Sequence, residues 1–86
     1  MPEISRFLGI VIAMYYSDHE PPHFHARYGS CQATIGIDDG RLLSGDLPSR
    51  VRGLVEEWRC MHRRERLDDW DRARRREPLA RIAPLA

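Results

Sequence analysis

Three of the four histidines fall within seven residues, in the run Asp18-His19-Glu20-Pro21-Pro22-His23-Phe24-His25, and Arg27 follows two positions later. An imidazole takes up and gives back a proton near neutral pH. Cleaving RNA at a 2′-hydroxyl needs a base, an acid and a cation for the crowded phosphate. His19, His25 and Arg27 suit that set, with Tyr15 or Tyr16 beside them, because His19 and His25 can flank a phosphate that two neighbours on one strand do not easily straddle. The same run could bind a metal. His23 and His25 would share a strand face roughly 6.6 Å apart along the chain, so both could reach one ion, with His19, Asp18 or Glu20 as the third ligand. A plainer role comes ahead of both: Asp18 caps the turn, Pro21 and Pro22 stiffen it, and Asp18, His23 and Tyr16 line a contact surface. RNA cleavage without metal ranks second and metal-dependent hydrolysis third, and no cofactor is expected.

The elements that must position these residues follow from hydropathy. Phe7 to Tyr16 is apolar, rich in β-branched and aromatic residues, and without helical period. It reads as one central strand, and it has half the roughly 20 residues a membrane span requires. His23 to Tyr28 alternates, with Phe24, Ala26 and Tyr28 on one face and His23, His25 and Arg27 on the other. Gly29-Ser30 is a two-residue hairpin turn. Folding 31–38 back about it sets Arg27 opposite Gln32, His25 opposite Thr34, and His23 opposite Gly36, so both strands agree on the polar face. Asp39-Gly40 signals a second hairpin returning 41–44, with Leu42 facing Ile37. The period then changes. Val51, Leu54, Val55, Trp58 and Met61 form a helical stripe over about 48–62, with Pro48 in its first turn. The phase slips beyond His62, which predicts a kink or a second helix over about 63–76, ended by Glu77-Pro78. Residues 77–86 form an extended tail anchored by Leu79, Ile82 and Leu85. The fold class is α+β, a four-stranded antiparallel meander with two C-terminal helices (or one kinked helix) on one sheet face, in a single domain over residues 1–86.

Charge is unevenly spread. All 14 basic residues are arginine, and the formal net charge is +1. Residues 1–49 carry three arginines against six acids, whereas residues 50–76 carry ten against six. That asymmetry permits nucleic acid contact at the helical end and equally permits self-association. Arg52, Arg59, Arg63 and Arg66 project to one side of a continuous helix, as a phosphate-tracking stripe would, although Glu56 sits within it. Cys31 and Cys60 form no short-spaced pair and are expected to stay reduced as small buried residues, in a cytoplasmic chain. Nothing resembles a helix-turn-helix with a short glycine turn.

Three stretches carry a resemblance: "ISRFLGIVIAMYYSDHEPPHFHARYG", "GDLPSRVRGLVEEW" and "EPLARIAPL". Together they resemble the bacterial domain of unknown function family DUF4160 over nearly the whole chain, most specifically in Asp18-His19-x-Pro21-Pro22-His23-Phe24-His25. The second helix departs only in being heavy in arginine. The resemblance implies a short bacterial protein often encoded beside another small protein in toxin–antitoxin-like gene pairs, and it implies no catalytic residues. The expected function is therefore a regulatory or toxin–antitoxin-type component that binds a protein encoded by an adjacent gene or a second copy of itself, with RNA or DNA as a further partner and no membrane.

Overall fold

Gly9 decides how the first apolar run folds. In the computed structural model, which describes residues 3–15 and 21–85, Leu8 and Gly9 both have positive φ, 50° and 81°. Two such residues make the tight turn whose twist matches antiparallel strands. The run therefore folds back as β1 (Glu3–Phe7) and β2 (Ile10–Ala13), with Phe7 opposite Ile10 and Arg6 opposite Val11. The single strand expected over 7–16 is corrected to this hairpin, and the four-stranded sheet to a five-stranded one in the order β1-β2-β3-β4-β5.

β3 (His23–Tyr28) and β4 (Cys31–Gly36) pair in the register that their alternation predicts. The next hairpin differs. Ile37 leaves the ladder, gives its N–H to the Pro22 carbonyl and buries its side chain completely. The loop is closed by bonds from Gly36 N–H to Arg41 O and from Gly40 N–H to Gly36 O. Leu42 consequently faces Ile35 rather than Ile37, at the start of β5 (Leu42–Asp46). A register shift between Thr34 and Ile35 leaves Leu43 as an extra residue, and Gly45 stands at φ +72°.

Helix α1 (Ser49–Met61) buries Val51, Val55 and Trp58. Met61, expected in the apolar stripe, is exposed, because the helix stops there and the buried line passes to His62 and Arg66. His62, at φ −126° and ψ 37°, separates α1 from α2 (Arg63–Arg74), so the phase slip marks a second helix. The apolar face of the sheet meets the helices through Trp58, whose ring lies 6.1 Å from Phe7 and 5.7 Å from Phe24. Cys31 packs half-buried against this core, but Cys60 is exposed, correcting the expectation that both are buried; it falls on the outer side of α1 beside Glu56 and Arg59. The tail after α2 returns along the first strand. Ile82 gives its N–H to the Ile4 carbonyl at 2.7 Å, Ala80 gives its N–H to Asp69, and the Trp58 indole donates to the Ala83 carbonyl. Among the described residues no helix is long and apolar enough to cross a membrane.

Candidate functional site

The face of the sheet turned away from Trp58 carries the chemistry. Cross-strand partners share a face, so the pairings put Arg6, Val11, Arg27 and Gln32 in one row, and Ala13, His25, Thr34 and Ser44 in the next. Arg6, Arg27, Gln32 and Ser44 are exposed, while His25 and Thr34 are half-buried. Alternation in β3 adds His23 at the strand's beginning, and Tyr15 continues from β2.

The aromatic groups touch in sequence. The Tyr15 ring meets the His25 ring edge-on at 4.5 Å between centroids, His25 meets His23 at 5.1 Å, and His23 meets Trp70 of α2 at 5.1 Å. His25 Nδ1 lies 3.3 Å from the Thr34 hydroxyl. His23 Nδ1 lies 2.7 Å from the Pro21 carbonyl oxygen. A carbonyl only accepts, so His23 carries its proton on Nδ1. Burial separates the two histidines. His23 is 2% exposed and wedged under Trp70, whereas His25 opens towards Arg27.

Of the residues singled out for chemistry, the sheet brings His25, Arg27 and His23 to one face, with Tyr15. Tyr16, Asp18 and His19 lie outside the described residues. Among the described residues no three His, Cys, Asp or Glu side chains gather as a metal site would need.

The arginines of the helices stand elsewhere, over the β4–β5 loop. Arg59 donates to Glu56 and to the carbonyls of Ile37 and Asp38, and its guanidinium holds the Glu56 carboxyl below the usual range. Arg63 pairs with Asp38 at 3.0 Å, and Arg52 stands 3.8 Å from Asp46, both at the surface. Arg66 is fully buried. It donates to the Ile37 carbonyl at 2.8 Å, to His62 O at 3.2 Å and to Arg59 O, and its guanidinium sits between the rings of Phe24 and Trp58. Burial, with Arg59's charge beside it, lowers its pKa to about 10, so it remains a cation at neutral pH. Arg66 thus departs from the stripe with Arg52, Arg59 and Arg63 in which the sequence placed it.

Two residues that hold α2 in place escaped the sequence reading. Asp69 is fully buried, with one oxygen accepting from Arg72 at 2.9 Å and Ala80 at 2.8 Å, and burial raises its pKa. His62 donates from Nδ1 to Glu65 across the helix break at 2.7 Å. The signal for His62 and Arg66 was their continuation of the 51-55-58 stripe at steps of four. Asp69 gave no such signal.

Comparison with curated proteins and with solved structures finds no match. A family model does match residues 9–71, which span β2 through most of α2 and include Tyr15, His23, His25 and Arg27 but not Arg6. The chain belongs to the family described as Domain of unknown function (DUF4160).

Proposed function

We propose that this chain is a small regulatory component of toxin–antitoxin type that acts by binding, and that its working surface is the sheet face opposite Trp58. One observation carries the reading: Tyr15, His25 and Arg27 share that face, with Arg6, itself paired with Glu3 at 2.7 Å, in Arg27's row two strands away. Cations about 10 Å apart, at two strand spacings, beside aromatic edges suit an unpaired nucleic acid strand. Its phosphates take arginine and its bases find π surfaces. Single-stranded RNA is therefore the ligand this geometry supports best. The gene-pair context rests on the family resemblance, and a small protein encoded alongside, or a second copy of the chain, is the expected protein partner.

Fluorescence anisotropy with a short single-stranded RNA tests the reading. Arg27→Ala should weaken binding about tenfold and reduce the salt slope by about one, as for any phosphate contact. His25→Ala should weaken it much less. Wild-type affinity in Arg27→Ala would remove this face from consideration.

A second reading draws on the same contacts. His25, in contact with Thr34 and Tyr15 and two residues from Arg27, would serve as a proton carrier in a metal-independent endoribonuclease, with His19 as the other proton-transfer group. Here the purified protein should cleave RNA equally with and without EDTA, and His25→Ala should abolish cleavage. Intact RNA in every lane leaves binding alone.

A further inference from the structure

On the opposite, helix-covered side of the sheet, a cavity of about 400 Å³ opens between α1 and the β4–β5 hairpin. Its apolar part is formed by Ile35, Leu42 and Val55, and Arg52 and Glu56 stand at its polar side. Small-molecule sites begin at about 300 Å³, so the space is adequate for one.

Gly53 forms part of the wall, in the middle of α1. Glycine is among the least favourable residues inside a helix. Its backbone here is helical, and a Cβ built on it would meet nothing within 4 Å. Neither backbone conformation nor close packing calls for glycine at this position. What the missing side chain does is leave the cavity open.

Arg52 and Glu56 give the lining one charge of each sign, but they are engaged unequally. Both oxygens of Glu56 are held by Arg59. Among the described residues Arg52 meets only Asp46, at 3.8 Å, and both side chains are mostly in solvent, 52% and 75% exposed. A guanidinium so loosely engaged keeps its fork for a planar anion. We propose that this cavity binds a small free organic acid, its apolar body against Ile35, Leu42 and Val55 and its carboxylate on Arg52. The site is separate from the His25 face, and neither depends on the other.

The probes are 2-naphthoate and its uncharged analogue 2-naphthamide, titrated into the whole chain while backbone amide resonances are followed by NMR. Naphthoate should shift the amides of Leu42, Gly53 and Val55 saturably, and the amide should bind at least tenfold more weakly. Arg52→Gln should lose at least tenfold in affinity for naphthoate and little for the amide. Gly53→Leu should abolish binding of both while raising the melting temperature, since leucine is the better helix former. A folded Gly53→Leu variant that binds as wild type overturns the proposal. So does equal binding of acid and amide, and so does the lack of any saturable shift.

Discussion

Arg66 shows how one residue can carry a structural boundary. Between α1 and α2 the helical hydrogen-bond ladder is interrupted, and carbonyl groups near the break must find other donors. Arg66 supplies them, bonding to Arg59 O and His62 O from one guanidinium while reaching the Ile37 carbonyl across the sheet. Arg66→Ala would leave the Arg59 carbonyl without its donor, thin the bonding of the Ile37 and His62 carbonyls, which keep Arg59 and the residue-66 N–H, and open a void beneath Phe24 and Trp58. The expected loss is about 3–4 kcal/mol, near the upper end for single substitutions. Urea unfolding read by tryptophan fluorescence would measure it, and a loss under about 1 kcal/mol, the net worth of a single hydrogen bond, would show that the network is dispensable. This burial was only half legible in the sequence. Steps of four from Trp58 lead through His62 to Arg66, but the sequence reading set Arg66 in a charged stripe with Arg52, Arg59 and Arg63, because an arginine reads as a surface charge unless the carbonyls it serves are known. One of them, Ile37 O, belongs to an irregular loop that no periodicity describes, and the other two lie at the end of α1 and the helix break.

At the scale of elements, legibility followed the strength of local signals. The β3–β4 hairpin was readable because two alternating strands and a two-residue turn fix a register that cannot slip without inverting every side chain. The β1–β2 hairpin was hidden, since Leu8-Gly9 lies inside an unbroken apolar run and only the glycine hints at a turn. The β4–β5 connection was misjudged by two residues because Ile37 gains more from the core than from the ladder. The candidate site was legible to the same extent as its strand: His23, His25 and Arg27 share the expected face, but the contact of Trp70 with His23 is long-range and left no trace in sequence. Gly45 offers a test of how β5 is held. At φ +72°, a Cβ there would stand 2.1 Å from the Gln32 carbonyl oxygen, which is backbone and cannot yield. Gly45→Ala should destabilise the fold by about 2–3 kcal/mol through backbone strain and this overlap. Thermal unfolding would register it, and an unchanged melting temperature would mean that β5 relaxes freely.

The whole molecule closes through its tail. The Cα radius of gyration is 11.6 Å, against about 12 Å expected for a folded chain of this length. Closure depends on two carboxylates whose pKa values move in opposite directions. Hydrogen bonds from Arg6 and Arg81 lower Glu3 from 4.5 to about 2, whereas burial raises Asp69. A lowered carboxylate contributes stability that is complete above its unfolded pKa and is lost as pH falls towards the folded one. A raised carboxylate does the reverse, and protonated Asp69 can still accept the Ala80 N–H. Acidification from pH 4.5 towards pH 2, the interval between Glu3's two values, should therefore release the Arg81 end of the tail first. Amide exchange should show protection at Ile82 declining over that range while protection at Ala80 persists. Parallel loss at both would indicate that the tail detaches as a unit.

The two borders of the sheet, finally, limit how these molecules can associate. Beyond β1, the backbone of Ile4 is already engaged by Ile82. Along β5, the additional residue Leu43 and the left-handed Gly45 spoil the regular spacing of donors and acceptors that an incoming strand would have to match. Both borders are thus poorly matched to an incoming strand, which works against fibre growth and favours partners that approach the sheet broadside.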